Sequence, residues 1–152
     1  MHFVFYQNFQ VELAMFCPTK DKIPVQQRAN LIYQIDCPGC GESYIGKTDR
    51  CVETRMLEHG TRNTQPMFRH LSDCHLFHDY VNLFSLPTSL NTSYHINVKE
   101  HIKNAVLNNY SIIDDFRGNW SQLCYLEAYY IKRFSPYINK GLKASKELQL
   151  FT

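Results

Sequence analysis

A β-hairpin pattern is present in the segment Leu31-Ile-Tyr-Gln-Ile-Asp-Cys-Pro-Gly-Cys-Gly-Glu-Ser-Tyr-Ile-Gly46. Branched and aromatic residues at 31–35 favour one strand, and residues 44–46 favour a second. The Pro-Gly-rich connection at 37–41 favours a turn between them. We therefore expect two antiparallel neighbouring strands with a Cys-x-x-Cys pair at the tip of the hairpin.

Two helices are predicted directly after the hairpin. Thr48 or Asp49 can cap the first helix, which runs to His59. Gly60 can end this helix by adopting the left-handed conformation that a helix end often needs. Pro66 suits the first turn of a second, short helix through residue 76. This order places helical residues close behind both strands of the hairpin.

The rest of the chain adds one strand and two more helices. Residues 79–95 are predicted to be irregular, and Asn97 with Glu100 has the pattern of a capping box before a helix over 98–108. Residues 110–114 favour a third strand, and Ser121 can cap a last helix that ends before Pro136. The predicted order is β-β-α-α-α-β-α. The sequence therefore predicts an α+β fold, a small three-stranded antiparallel sheet flanked by helices.

Length and charge narrow the classes of function. The chain has 152 residues, 44% of them apolar, which suits one domain with its own core. Its net charge of +2 is far from that of a protein that coats nucleic acid, so any contact with DNA or RNA would rest on a few placed cations. No stretch approaches the roughly 20 apolar residues that cross a bilayer, and the opening has no signal-peptide pattern. We expect a nuclear or cytoplasmic protein in a reducing compartment, with no membrane partner.

The six cysteines and seven histidines favour a metal site over a secreted disulfide framework. The Cys pair of the hairpin forms one half-site, and a helix that presents two ligands at i and i+4 supplies the other. The predicted ligands of this structural Zn²⁺ are Cys37, Cys40, His70 and Cys74. His75 is the alternative fourth ligand, and His78 is a weaker one. A free or redox-active thiol pair is the alternative to the metal.

Glu127 lies on the apolar face of the last predicted helix, about 40° from Leu123 at 100° per residue. An unpaired buried charge is costly, so Glu127 is expected to meet a metal ion, a cation or a cleft. We favour the metal, and a surface pair with Lys132 or Arg133 is the alternative. On an earlier helix, Arg55 and His59 stand at i and i+4. They combine a fixed cation with a titratable base, a combination that suits phosphoryl chemistry.

Together these motifs resemble a known family. They are Leu31-Ile32-Tyr33, Tyr44-Ile45-Gly46, Arg55, His59, Glu127 and Asn139, in this order. They resemble the GIY-YIG nuclease domain, with Leu31 in place of its first glycine. The stretch 37–59 is more specifically similar to the endonuclease domain that follows the reverse transcriptase in Penelope-like retroelements. The resemblance covers about residues 17–145. It implies a lead-in and loop at 1–24, a nuclease domain at 25–145 with an insertion at 79–108, and a tail at 146–152.

The resemblance implies cleavage of DNA with one divalent metal ion, normally Mg²⁺, held by Glu127. Tyr33 is the implied general base, and Arg55 would stabilise charge in the transition state. Because an ordinary tyrosine has a pKa of about 10, Lys47, His59 or a metal-bound water would have to assist its deprotonation. The other implied roles are orientation of water and phosphate by Tyr44 and Asn139, and phosphate contacts by Lys47, Arg50, Arg62 and Arg69.

The partners implied by the resemblance are DNA and an upstream reverse transcriptase domain. An alternative of another class is a catalytically inactive, zinc-stabilised module that binds nucleic acid or protein. The presence of both Arg55 and Glu127 favours activity over decay of the site. A thioredoxin-like redox centre is disfavoured because the Cys pair lies between two strands and not at a strand-to-helix junction.

Overall fold

A computed structural model describes residues 23–84 and 97–140 of the chain. Within these ranges, three strands form one antiparallel sheet in the order β2-β1-β3: β1 (Leu31–Asp36), β2 (Ser43–Thr48) and β3 (Tyr110–Asp115). The helices are α1 (Val52–Thr61), α2 (Pro66–Asp73), α3 (His75–Phe84), α4 (Val98–Asn108) and α5 (Trp120–Phe134). Short 3₁₀ turns cover Val25–Gln27 and Tyr137–Asn139. The predicted α+β fold with a small three-stranded antiparallel sheet is confirmed.

Parts of the predicted organisation lie outside the described residues. These are residues 1–22 of the lead-in, residues 85–96 within the predicted insertion, and residues 141–152, which include the tail. In the described parts of the chain, no helix combines the length and the apolar character needed to cross a membrane.

The central strand β1 is buried on both faces of the sheet. Leu31, Tyr33 and Ile35 point into a core that α1, α2, α3 and α4 complete. Ile32 points the other way, into a smaller core with Ile45 and Leu123 of α5. Because both faces are covered, β1 has an almost continuous apolar sequence, as strands that are buried on both faces do.

The hairpin between β1 and β2 forms as predicted. Tyr33 pairs with Gly46, and the connecting loop is closed by hydrogen bonds from the Cys37 amide to the Glu42 carbonyl and from the Gly41 amide to the Cys37 carbonyl, both 2.9 Å. Gly41 has a φ of +75°, which a glycine adopts without strain. The loop therefore carries the Cys pair at the tip of the hairpin.

The ends of α1 differ from the prediction. Thr48 is the last residue of β2, and its Oγ1 accepts a hydrogen bond from the Arg50 amide at 3.1 Å instead of capping the helix. Cys51 occupies the N-cap. Gly60 lies inside the helix: a Cβ there would be 2.8 Å from the Lys103 Cα, so the glycine allows α4 to pack closely against α1.

The predicted helix through residue 76 is two helices. Cys74 adopts an extended conformation at the end of α2, and α3 then begins at His75. Residues 79–84, predicted to be irregular, are helical because Phe77 and Val81 stand at i and i+4 and bury together in the larger core.

The N-terminal cap of α4 agrees with the prediction, and that of α5 does not. Asn97 caps α4 and accepts a hydrogen bond from the Glu100 amide, as predicted. The cap of α5 is Asn119 and not Ser121. Asn119 and Gln122 form a reciprocal capping box, which satisfies two amides at once.

Candidate active site and metal centre

The hydroxyl of Tyr33 is the centre of a buried polar cluster. It lies 2.8 Å from Nε2 of His59 and accepts a hydrogen bond from Nε of Arg55 at 3.0 Å. Tyr33 and His59 are both 0% exposed. Arg55 can only donate, so the Tyr33 oxygen accepts from it, and the same hydroxyl can donate to Nε2 of His59 when Nδ1 carries the ring proton. The structure therefore brings together three of the predicted site residues.

Burial determines the protonation states in this cluster. It lowers the pKa of His59 to about 3, and the nearby charge of Arg55 acts in the same direction. Burial also raises the pKa of Tyr33 well above its ordinary value, so the hydroxyl keeps its proton at neutral pH. The other ring nitrogen of His59, Nδ1, has no hydrogen-bond partner in the part of the chain that the structure describes. His59 is thus a neutral imidazole within hydrogen-bonding distance of a neutral Tyr33 hydroxyl.

This burial predicts an acid-sensitive stability. When the pH falls below 6.5, His59 takes up a proton in the unfolded chain, but in the folded chain it does so only near pH 3. The free energy of unfolding should therefore fall about 1.4 kcal/mol per pH unit more steeply in the wild type than in His59→Gln. Urea titrations from pH 6.5 down to about 4.5 measure the difference, because carboxylates that titrate at the lower end are common to both proteins. Equal slopes in the two proteins would contradict a buried neutral His59.

Tyr44 and Gly46 of β2 complete the surroundings of the cluster. The Tyr44 ring centroid lies 5.1 Å from that of His59 and 6.4 Å from that of Tyr33. Burial raises the pKa of Tyr44, and the charge of Glu127 adds to the effect. A Cβ on Gly46 would lie 2.5 Å from the Tyr33 hydroxyl oxygen. Glycine at this position therefore allows the Tyr33 ring to lie across β2.

Glu127 meets a cation, Lys47. The Nζ of Lys47 is 2.5 Å from Oε2 of Glu127, and the two side chains are only 16% and 18% exposed. Burial alone would lower the pKa of Lys47, but the contact with Glu127 outweighs it and the pKa is raised. The sequence prediction favours a metal ion over a cation or a cleft as the partner of Glu127. The structure supplies a buried cation from β2, and Lys47 contacts Glu127 in preference to assisting Tyr33.

These groups approach the edge strand β2 from both faces of the sheet. Tyr44 packs in the core of Tyr33, whereas Ile45 packs in the core of α5, and Lys47, two residues on, points to the same side as Ile45. Glu127 projects from α5, yet its charge raises the pKa of both tyrosines. The candidate site therefore has groups on both faces of β2.

Glu58 is a site residue that the sequence prediction missed. Its carboxylate is almost buried and accepts hydrogen bonds from Nη2 of Arg50 at 2.9 and 3.0 Å and from Nη1 of Arg55 at 2.9 Å. Arg62 adds an ion pair at 3.5 Å. The bond from Arg50 is the main reason that the pKa of Glu58 is lowered. Glu58 is three residues after Arg55 and four residues before Arg62, spacings that favour ion pairs along a helix and that the sequence already contains.

Asn139 anchors β2 to the C-terminal 3₁₀ turn. Its Oδ1 accepts from the amide of Ile45 and its Nδ2 donates to the carbonyl of Ile45, both at 2.9 Å. The implied role in orienting water and phosphate has no support here, because both amide atoms already bind the main chain. Arg69, another implied phosphate contact, donates to the Thr64 carbonyl on the surface.

Four side chains could hold a metal ion beside the hairpin tip. Each brings one ligand atom to within 4.8 Å of the others, and they are Cys37, Cys40, His70 and Cys74. The Sγ atoms of Cys37 and Cys74 are 3.9 Å apart, and Sγ of Cys40 is 3.3 Å from Nε2 of His70. Around a tetrahedral zinc ion, two sulfur ligands would be about 3.8 Å apart, and a sulfur and a nitrogen ligand about 3.6 Å apart. A Cys₃His group of this shape could brace the hairpin against α2.

The structure distinguishes the predicted ligands from their alternatives. Cys74, at the end of α2, belongs to the group, whereas His75 is exposed at the start of α3. His78 contacts the carbonyl of Ser72 at 2.9 Å. Burial lowers the pKa of His70, so the ring is neutral, as a metal ligand must be. The four side chains that could hold a metal ion are thus the set predicted from the sequence.

Comparisons of this chain with models of protein families, with curated proteins and with solved structures find no match. The functional interpretation therefore rests on the geometry of the polar cluster around Tyr33 and of the Cys₃His group.

Proposed function

We propose that this chain is a metal-dependent endonuclease domain of the GIY-YIG kind, derived from a Penelope-like retroelement, that nicks DNA by phosphodiester hydrolysis. The observation that carries the proposal is the convergence of Arg55 and His59 on the buried hydroxyl of Tyr33. A packing role would be met with less desolvation by apolar side chains. DNA is the proposed partner, and an upstream reverse transcriptase domain is the proposed neighbour within the retroelement.

In the proposed reaction, Tyr33, His59 and Arg55 act on one proton path. Burial is the main cause of the low pKa of His59, so the step requires that the site first open to water. The Tyr33 oxygen then takes a proton from the attacking water as its own proton passes to Nε2 of His59. The water oxygen forms the new bond to phosphorus, and the bond from phosphorus to the leaving oxygen breaks. The leaving oxygen keeps the electron pair and takes a proton from solvent, and His59 returns its proton to solvent. Arg55 donates to the Tyr33 oxygen and stabilises negative charge there and on the adjacent phosphate.

Glu127 is the residue that would hold Mg²⁺. The ion is commonly bound through one or two carboxylates together with water and substrate phosphate, so a single carboxylate at the edge of β2 fits it. When bound, Mg²⁺ supplies Lewis-acid stabilisation of the scissile phosphate. Lys47 keeps the Glu127 carboxylate oriented, and once released it is a cation available to the phosphate.

The arginines around Glu58 are the proposed contacts for neighbouring phosphates. The side chains of Arg50 and Arg62 are 55% and 62% exposed, although both are tethered to the same carboxylate. Residues 44–70 contain five Lys or Arg and three acidic residues. A small surplus of this size suits grip on a few phosphates better than on a long duplex.

For the Cys₃His group we propose a structural Zn²⁺. Three thiolates and one imidazole complete a closed tetrahedral set, which is typical of structural and not of catalytic zinc. The ion would join the loop of the hairpin, which carries Cys37 and Cys40, to the end of α2, which carries His70 and Cys74. It would thereby hold the two strands that carry Tyr33 and Tyr44.

A second candidate is a zinc-stabilised module that binds nucleic acid or protein without cleaving it. Two observations favour it: Tyr33 is fully buried, and Lys47 is paired with Glu127. Both must change before water and metal can reach the site. Nicking activity distinguishes the two candidates.

Replacement of Arg55 tests the proposed chemistry. Arg55→Ala is expected to lower the rate of nicking of supercoiled plasmid about 10²- to 10³-fold, the usual effect of losing one transition-state donor. The matched control is Arg133→Ala on α5, whose exposed guanidinium binds the Tyr129 hydroxyl. It should leave the rate within about twofold, since surface ion contacts contribute little. Nicking by Arg55→Ala at the wild-type rate would count against the proposal.

A further inference from the structure

Trp120 is an exposed aromatic side chain at the rim of the candidate site. It is the single tryptophan of the chain and is 53% exposed. The Nζ of Lys47 lies 5.1 Å from the centroid of its ring, and the same ammonium contacts Glu127. The Lys47 ammonium therefore lies between the indole and the carboxylate proposed to hold the metal.

The position of Trp120 is set by its neighbours in the chain. It is the first residue of α5 and lies inside the capping box of Asn119 and Gln122, whose two hydrogen bonds measure 3.0 and 3.2 Å. These bonds hold the backbone on either side of the indole. A rigid, exposed ring loses little conformational entropy when a flat ligand stacks on it.

We propose that Trp120 is the stacking platform for an unpaired nucleobase of the DNA strand whose phosphate occupies the site. This inference rests on the proposed nuclease function and specifies its substrate. Any base offers a π-face to an indole, but a base inside a continuous duplex is covered by its neighbours. Lys47 lies over one face of the ring, so the base would stack on the opposite face, and the ammonium supplies a cation for the phosphate of the stacked nucleotide. The preferred substrate is therefore single-stranded or branched DNA, with an unpaired base next to the cut.

The single tryptophan gives a direct test by intrinsic fluorescence. The wild-type chain is titrated, without added magnesium, with a short single-stranded DNA oligonucleotide and with a blunt duplex of the same sequence. The single strand should quench the tryptophan emission at saturation, and the duplex should not. Binding without quenching, stronger quenching by the duplex, or no binding of the single strand would each overturn the inference.

Variants then measure the contribution of the ring to binding, by fluorescence anisotropy of a labelled single strand. Trp120→Ala should weaken binding roughly 5- to 150-fold, and Trp120→Phe should recover most of the loss. Tyr129→Ala is the matched control, because Tyr129 is equally exposed on α5 but nine positions on, half a turn round the helix. It should bind as the wild type does. Equal affinity of Trp120→Ala and wild type would overturn the stacking inference, even if the wild type nicks plasmid DNA. Quenching by the single strand without any nicking of plasmid would instead contradict the proposed nuclease.

Discussion

Cys37→Ser is expected to lose the zinc that the wild-type chain carries at about one ion per chain, and to unfold at a lower urea concentration. Structural zinc contributes about 10–16 kcal/mol in small zinc-finger peptides. This chain also has two apolar cores, so we expect a partial loss, of about 3–5 kcal/mol, in the free energy of unfolding. Metal analysis and urea titration monitored by circular dichroism measure the two effects.

The matched control for this prediction is Cys51→Ser. Cys51 lies at the start of α1, away from the Cys₃His group, and its Sγ contacts the Gln26 carbonyl, a bond that a serine hydroxyl can keep. This variant should retain its zinc and its stability. Metal-free wild-type protein, freshly purified without chelator, would refute the zinc site whatever the behaviour of Cys37→Ser.

Glu127→Gln is expected to lower magnesium-dependent nicking by a factor of at least about 10³, while the protein stays folded. Glutamine keeps the shape of the side chain and can still accept a hydrogen bond from Lys47, but it lacks the negative charge that holds the ion. Initial rates of plasmid nicking give the size of the effect, and circular dichroism reports the fold. Glu100→Gln is the control, because Glu100 is an exposed carboxylate that pairs only loosely with Lys103.

The sheet could be predicted because its signals are local. The strand-turn-strand pattern at 31–46 and the cap at Asn97 depend on residues close together in the chain. The Cys₃His group was predictable for the same reason, since Cys37 with Cys40 and His70 with Cys74 are two short spacings. Even the break at Cys74 between α2 and α3, which was not predicted, leaves these ligands together.

The contacts of the candidate site were harder to predict because distant segments create them. Lys47 and Glu127 are 80 positions apart, and Asn139 is 94 positions from Ile45, so no spacing rule indicates either pair. The sequence did indicate that Glu127 faces inward, but it could not indicate that Lys47 of β2 lies opposite this carboxylate. The hydrogen bond between Tyr33 and His59 likewise needed the approach of α1 to β1.

The central claim is that this chain hydrolyses phosphodiester bonds with magnesium, and one plasmid assay tests it most directly. Freshly purified wild-type protein and Glu127→Gln are each incubated with supercoiled DNA, with and without added Mg²⁺. We predict that nicked circles accumulate only with the wild type and only when Mg²⁺ is present. Intact plasmid in all four reactions, or equal nicking by the two proteins, would contradict the account.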